Sequence, residues 1–172
     1  NSPSAGIKAF LDMHCPLRYN HVMNIILAAD HAGYELKESI KSYLEAKKFQ
    51  VLDVGAHNLV PEDDYPVYMA AAAMKVVEDT KGETKAIIFG GSGQGEAMVA
   101  NRFPGVRAAV WDGGDIEIVK LSREHNDANV LSVGARFVKD DETKKAVEVW
   151  LSTAFSGDER HARRNFQIDN IE

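Results

Sequence analysis

A glycine-rich segment that ends in a carboxylate is the chemically most suggestive part of the sequence. Glycines stand at positions 90, 91, 93 and 95, and Glu96 follows them directly. Glycines between a strand and a helix let backbone N–H groups turn toward an anion. A carboxylate beside such amides could take a proton next to a carbonyl while the amides, helped by Ser92, stabilise the enediolate. We therefore favour a ligand loop over a plain tight turn, which needs fewer glycines.

The spacing of this loop excludes two common nucleotide sites. A dinucleotide fingerprint, G-x-G-x-x-G, would need glycine at position 96, where the chain has a carboxylate that repels pyrophosphate. A P-loop would need a Gly-Lys-Ser/Thr sequence, which does not follow the glycines. Two readings of Glu96 stay open at this point, a general base or an acid favoured by the helix dipole.

Two histidines stand where they could move protons or bind anions. Asp30 and His31 follow the first apolar run, although an aspartate there is often only a helix N-cap. His125, in the sequence REHND, ends a predicted helix, where its plainer role is a C-terminal cap. Near a sugar-like ligand, His125 could carry a proton to or from an oxygen.

A short basic segment near the C-terminus contrasts with the acidic remainder of the chain. Arg160 and Arg164 are four residues apart and share one helix face, with His161 between them. They form either a solvated basic face or an anion clamp that Arg136 could join, since guanidinium groups match phosphate oxygens. No H-x-x-x-H pair or dense His/Asp cluster occurs in the sequence, so we expect no metal site.

Short apolar runs alternate with amphipathic segments from Met23 onward. This order predicts parallel βαβ units in an open α/β/α sandwich with five strands. Ligands bind beyond the carboxyl ends of such strands, which is where residues 30–31, 63–65, 90–95, 112–114 and 134–136 fall. The predicted strands are 24–29, 51–54, 86–89, 107–111 and 130–133, and the predicted helices are 34–47, 65–77, 96–102, 115–123, 140–154 and 159–168.

Composition limits the class of protein and its partners. The 172 residues carry 20 basic and 26 acidic side chains, a net charge of −6, which argues against nucleic-acid or anionic-membrane binding. The single cysteine, Cys15, excludes an internal disulfide framework, and no apolar run approaches a membrane span. We expect a cytoplasmic protein with one domain, residues 23–172. Residues 1–22 are interpreted as an N-terminal extension, disordered or foreign to the native chain.

Six separated motifs resemble those of ribose-5-phosphate isomerase B, in the ribose/galactose isomerase family. The resemblance runs in order from Met23 to the C-terminus. The motifs are AADHAGYELK (28–37), DDYP (63–66), GGSGQGE (90–96), REHND (123–127), VGAR (133–136) and ERHARR (159–164).

This resemblance implies a fold and an activity. It implies a Rossmann-like five-stranded parallel sheet and a homodimer, sometimes paired into tetramers, with a C-terminal helix used in dimerisation and active sites shared between subunits. It implies interconversion of ribose 5-phosphate and ribulose 5-phosphate through a cis-enediolate, in the non-oxidative pentose phosphate pathway, without metal or cofactor. Related activities on allose 6-phosphate or galactose 6-phosphate, and a non-catalytic sugar-phosphate-binding module, are the alternatives.

The resemblance also implies a role for each motif residue. His125, assisted by Asp30, would open the furanose ring, and Ser92 with the loop amides would hold the enediolate oxygen. The substrate-binding residues would be His31, Tyr65, Gly91, Gly93, Gln94, Gly95, Asn126, Arg136, Arg160, His161 and Arg164, with His31 and the arginines on the phosphate and His161 a weaker candidate.

One departure from the common family pattern concerns the base. Many members carry a catalytic cysteine at the position of Gly90, whereas Cys15 lies outside the matching region. A second branch has glycine there and a glutamate after the loop, where this chain has Glu96. The resemblance therefore favours Glu96 as the base that acts between C2 and C1.

Overall fold

The computed structural model describes residues 23–171. The strands are β1 (Asn24–Ala29), β2 (Gln50–Asp53), β3 (Thr84–Gly90), β4 (Ala108–Trp111) and β5 (Val130–Gly134). The helices of these residues are α1 (Tyr34–Ala46), α2 (Tyr65–Glu78), α3 (Gln94–Ala100), α4 (Glu117–Glu124), α5 (Asp140–Ser152) and α6 (Glu159–Asp169). The predicted α/β order is confirmed, with strand and helix ends displaced by a few residues.

All five strands are parallel and lie in the order β2-β1-β3-β5-β4. The chain leaves β1 toward β2 on one side and reaches β3 on the other, so the winding direction changes between β1 and β3. The register pairs Ala29 with Phe89, which places the ends of these two strands side by side. A crevice at such a change of direction is the usual ligand site of an open parallel sheet.

Two apolar layers hold the helices against the sheet. The larger cluster joins one sheet face to α1, α4 and α5 and includes the fully buried Trp150. The smaller cluster joins the other face to α2 and α3, where Met69 and Ala72 are fully buried. Because both faces are covered, the central strand β3 is buried along its entire length and reads as a continuous apolar run around Ile87 and Ile88.

Residues 1–22, including Cys15, lie outside the described part of the chain, so the prediction of an N-terminal extension stays a prediction. Within residues 23–171, no helix has both the length and the apolar character needed to cross a membrane.

Candidate active site

The carboxyl ends of β1 and β3 bring together several of the predicted residues. Asp30 directly follows β1, and its buried carboxylate is 5% exposed. Its Oδ1 accepts hydrogen bonds from the backbone N–H groups of Ala32 at 3.0 Å and Gly33 at 3.1 Å, just before α1 begins. Asp30 thus accepts hydrogen bonds from the backbone N–H groups that precede the helix, as an N-cap aspartate does. Its Oδ2 lies 3.9 Å from Nδ1 of the His31 ring.

His31 is oriented by a carboxylate from a distant part of the chain. Its backbone N–H donates to Asp63 Oδ1 at 2.8 Å, and its ring Nδ1 lies 2.8 Å from the same oxygen. Burial raises the pKa of Asp63, but the hydrogen bonds from the His31 backbone and ring outweigh it and hold that pKa below its usual range. The bond to Nδ1 leaves Nε2 of this half-buried imidazole available to a ligand.

Asp30, His31 and Asp63 form a compact group that the sequence pattern did not reveal. One ligand atom from each lies within 4.8 Å of the others. The linear sequence contains no dense His/Asp cluster because Asp63 lies 32 residues beyond His31, yet the fold creates one. His31 Nδ1 is engaged with Asp63 Oδ1, and Asp30 Oδ1 accepts from backbone amides, whereas the buried Asp63 Oδ2 has no hydrogen-bond partner among the described residues.

The carboxylate of Glu96 is buried beside the glycine loop. Glu96 is 4% exposed, and its Oε2 has no hydrogen-bond partner in the described chain. Burial raises the pKa of this carboxyl, and the negative charge of Asp30 raises it further, against opposing hydrogen bonds from the loop backbone. A carboxyl held in this way is more basic than an exposed glutamate, which suits a general base.

Gly90 leaves the space that the Glu96 carboxylate fills. A Cβ at position 90 would lie 1.8 Å from Glu96 Oε1 and 2.1 Å from its Cδ, a distance that no structure tolerates. The carboxylate therefore occupies the volume that any side chain at position 90 would need. A glutamate at position 96 in this conformation thus requires glycine at position 90.

The remaining loop residues form the floor of the crevice. A Cβ at Gly95 would lie 2.5 Å from the Tyr65 hydroxyl, which places the start of α2 directly against the loop. The Arg136 N–H donates to Gly91 O at 3.2 Å, and its guanidinium lies along the same glycine. The Ser92 hydroxyl accepts a long hydrogen bond, 3.4 Å, from the N–H of Gln94.

We name Asp30, His31, Tyr65, the loop 91–95, Glu96 and Arg136 the carboxyl-edge group. These predicted residues converge at one edge of the sheet.

His125 lies at the other edge. It caps the C-terminal end of α4, which returns toward the start of β5 because helices in βαβ units run opposite to the strands. Asn126 confirms this placement, since its carbonyl accepts from Nε of Arg107, the residue before β4, at 2.9 Å. The five residues of β5 span about 17 Å, so one chain does not bring His125 to Glu96.

The C-terminal helix packs against His125. The Asn165 side-chain amide donates to His125 O at 3.2 Å, and the rings of His125 and His161 stack with centroids 4.1 Å apart and planes 9° apart. His161 is 5% exposed, and burial followed by the neighbouring His125 lowers its pKa. Arg160 and Arg164 are exposed on the same helix.

We name His125, Asn126, Arg160, His161 and Arg164 the amino-edge group. The structure thus divides the predicted residues between two edges. It also places His161 behind His125, where the ring supports its neighbour and does not face solvent.

Sequence reasoning missed a buried ion pair that supports the crevice. Lys37 is fully buried and donates to both carboxylate oxygens of Asp53, at 2.8 and 2.7 Å, and to Ala56 O at 2.7 Å. The turn that Lys37 holds is hydrogen-bonded to Ala29 at the end of β1. The Ala29 N–H donates to Gly55 O and the Ala56 N–H donates to Ala29 O, each at 2.7 Å. The available signal was a lysine three residues before Ile40, on the buried stripe of α1.

Comparison with known proteins identifies the family. Residues 25–168 match the family described as Ribose/Galactose Isomerase. The chain is 39% identical to ribose-5-phosphate isomerase B of Mycolicibacterium paratuberculosis over 143 residues, covering 83% of this chain and 87% of the relative. It is 39% identical to a probable ribose-5-phosphate isomerase B of Mycoplasma pneumoniae over 150 residues, covering 86% and 93%.

Solved structures of ribose-5-phosphate isomerases B have the same fold as this chain. The Mycoplasma genitalium ribose-5-phosphate isomerase B with bound ribulose-5-phosphate superposes with a TM-score of 0.80 at 38% identity, over 85% of this chain and 93% of that chain. The Trypanosoma brucei type B ribose 5-phosphate isomerase superposes with a TM-score of 0.80 at 33% identity, over 88% and 100%. The resemblance carried by the six motifs is confirmed, and the chain belongs to the ribose/galactose isomerase family.

Proposed function

We propose that this protein is an aldose–ketose isomerase that interconverts ribose 5-phosphate and ribulose 5-phosphate. The observation that carries the proposal is the buried Glu96 carboxylate, with an unpartnered oxygen and a raised pKa, at the glycine loop. Its family and its similarity to ribose-5-phosphate isomerases B support the choice of substrate.

The proposed chemistry is a proton transfer through an enediolate. Glu96 takes the proton from C2 of the open-chain aldose, and the electron pair moves onto the carbonyl oxygen at C1. The amides of the loop 91–95 and the Ser92 hydroxyl stabilise the negative oxygen. Glu96 then returns the proton to C1, and the proton of the C2 hydroxyl passes to the negative C1 oxygen. The C2 carbonyl and the C1 hydroxyl of the ketose thus form without net oxidation. Tyr65 and Asn126 position the sugar hydroxyls.

The division between the two edges supports a shared site. Ring opening needs a group that moves a proton between the ring oxygen and a hydroxyl, the role proposed for His125 with Asp30. Because His125 lies at the opposite sheet edge from Glu96, we infer a homodimer in which the amino-edge group of one protomer meets the carboxyl-edge group of its partner. His31 and Arg136 would then share the phosphate with Arg160 and Arg164 across the interface.

The packing of Gly90 against Glu96 supports the glutamate as base. Where other family members use a side chain at position 90, this chain has no side chain, and the Glu96 carboxylate fills that volume. The base is thus supplied from the first turn of α3 instead of from the end of β3.

The proposal is tested by incubating the protein with ribose 5-phosphate in deuterated water. We expect ribulose 5-phosphate to form, and deuterium to enter the carbon-bound positions as the base exchanges with solvent. Absence of both ketose and exchange would leave a sugar-phosphate-binding module. Comparison of kcat/KM on allose 6-phosphate and galactose 6-phosphate completes the test, since a strong hexose preference would overturn the pentose assignment.

A further inference from the structure

A cavity lies at the amino ends of the strands, on the same sheet edge as the amino-edge group but lined by none of the residues of that group. Its volume is about 400 Å³, and its walls come from the start of β3, the turn after α2 and the segments before β4 and β5. Four basic side chains line it, Lys81, Lys85, Arg107 and Arg123, against two acidic ones, Asp79 and Asp127. The walls are therefore net basic in a chain whose overall charge is −6.

Lys85 is the unusual member of this cavity. It is the second residue of β3 and only 9% exposed, on the same sheet face as Ile87 and Phe89. Within residues 23–171, its ammonium has no hydrogen-bond acceptor and no carboxylate at ion-pairing distance. Burial lowers its pKa and the nearby charge of Arg123 lowers it further, while the negative charges of Asp127 and Asp79 oppose the shift without reversing it.

The acidic side chains of the cavity are already engaged. Asp127 pairs with Arg123 at 2.8 Å and with Arg107 at 3.2 Å, and Arg107 also pairs with Asp169 at 2.8 Å. Asp79 accepts backbone N–H groups from the turn that follows it. Lys85 is thus left as a buried cation without its own counter-ion, an arrangement that costs stability unless an anion compensates it.

We propose that this cavity binds a phosphate group, as inorganic phosphate or as the phosphate of a small metabolite. Lys85 and Lys81 would supply ammonium groups to the anion. Arg107 and Arg123, whose N–H groups are largely engaged with carboxylates and backbone carbonyls, would add positive potential to the walls. The volume lies at the lower end of the range for small-molecule sites, so it admits more than a bare anion. Lys85 and Gly90 stand near opposite ends of β3, which spans about 23 Å, so this phosphate is distinct from the substrate phosphate proposed for His31 and Arg136 of the same chain. Arg160 and Arg164, which would bind the partner's substrate, do not line the cavity.

The test follows backbone amide chemical shifts of the ¹⁵N-labelled full chain as inorganic phosphate is added at constant ionic strength, with chloride as the balancing anion. We expect saturable shifts at Lys81, Gly82 and Lys85. Lys85→Met should abolish them while leaving phosphate-dependent shifts at His31 and Arg136, the residues of the same chain proposed to bind the substrate phosphate. Lys145→Met, which removes an exposed lysine on α5, is the matched control and should change neither set.

The outcomes separate the cavity from the substrate site. Shifts confined to His31 and Arg136, or shifts that rise linearly without saturation, would overturn the proposal. Saturable shifts at Lys81 and Gly82 that survive in Lys85→Met would overturn it as well. Lys85→Met should fold, because it replaces an unpaired buried charge with an apolar side chain of similar length. The wild-type titration decides the question by itself if that variant does not fold. Neither result depends on whether the protein isomerises ribose 5-phosphate.

Discussion

The two edges of the sheet hold functional groups in different ways. At the carboxyl edge, Asp30 and Glu96 are buried carboxylates, 5% and 4% exposed, and Asp30 is fixed by backbone N–H groups of its own chain. At the amino edge, Arg160 and Arg164 are exposed on the terminal helix, and the supported member is His125, which stacks on His161.

This difference predicts that the two edges contribute to different steps, the carboxyl edge to the chemical reaction and the arginines of the amino edge to substrate binding. The carboxyl edge is organised within a single chain, so we expect its residues to act in the chemical step, where positioned groups stabilise the transition state. The exposed arginines keep their rotamer freedom until they meet a ligand, so we expect them to contribute mainly to substrate binding. Variants at the first edge should lower kcat, and arginine variants at the second should raise KM.

The largest effect is expected for Glu96→Gln. The amide keeps the shape of the side chain but cannot accept the C2 proton, so kcat should fall by about 10²–10⁴-fold while KM changes little. Glu78→Gln, on the exposed end of α2, is the matched control and should retain full turnover. Unchanged kcat in Glu96→Gln would remove the base from the proposed mechanism.

The same variant tests whether the edges of two chains meet. Glu96→Gln and His125→Ala should each be nearly inactive alone, but a hybrid dimer contains one site with both native residues. Random exchange of equal amounts should therefore restore about a quarter of the wild-type sites. Verified hybrid dimers without recovered activity would place both residues in one chain's site, against the observed separation.

A smaller but still large loss is expected for Gly90→Ala. The added Cβ would lie 1.8 Å from Glu96 Oε1 and must displace the carboxylate, so kcat should fall about 10²-fold or more. Gly91→Ala offers a graded comparison, because its Cβ would meet Arg136 at an ordinary 3.4 Å. The test is the kcat of both variants from steady-state kinetics. Equal losses of kcat would mean that glycine at position 90 is needed for the loop conformation and not for the placement of the Glu96 carboxylate.

Much of this architecture follows from the sequence because buried parallel strands are short apolar runs between amphipathic helices. β1 matches its predicted bounds, Asn24–Ala29. β3 is longer than the predicted 86–89, since it begins at Thr84, includes the buried Lys85 and ends at Gly90. α5 ends at Ser152, earlier than predicted, because Thr153 adopts an extended backbone and its hydroxyl bonds Val149 O.

The site was predictable in part for a similar reason. Asp30, which directly follows β1, and Glu96, which opens the helix after the glycine loop of β3, can be placed at the carboxyl edge from pattern alone. The contact of His31 with Asp63 could not be predicted, since no local period relates residues 32 apart. The placement of His125 depends on the direction of α4, and the buried carboxylate of Glu96 depends on packing against Gly90.

At the amino edge, Arg164→Ala should raise KM for ribose 5-phosphate about 10- to 100-fold with a modest change in kcat. The loss of a charge-assisted hydrogen bond to phosphate costs about 1.5–3 kcal/mol. Arg163→Ala removes the neighbouring exposed charge on the same helix and is the matched control. A loss in kcat with unchanged KM would assign the arginine to the chemical step and remove the contrast between the edges.

The smallest effect concerns stability and its dependence on pH. Burial and then Asp30 raise the pKa of Glu96 in the folded chain above its unfolded value. The stabilisation that this carboxyl gives the folded state is therefore complete at a pH below its pKa in the unfolded chain. It is lost as the pH rises through its pKa in the folded chain. Each tenfold difference in acid constant between the two states corresponds to about 1.4 kcal/mol.

The glutamine of Glu96→Gln cannot titrate. Its free energy of unfolding should therefore rise relative to that of wild type as the pH increases from the unfolded to the folded pKa of Glu96, and the difference should be constant at higher pH. The carboxylates that both chains share, such as Asp63, cancel in the difference. Urea unfolding of the two proteins across the acid-to-neutral range measures it. A constant gap would mean that the carboxyl is solvated well enough to keep its ordinary pKa, and the buried base at the carboxyl edge would then lose its physical basis.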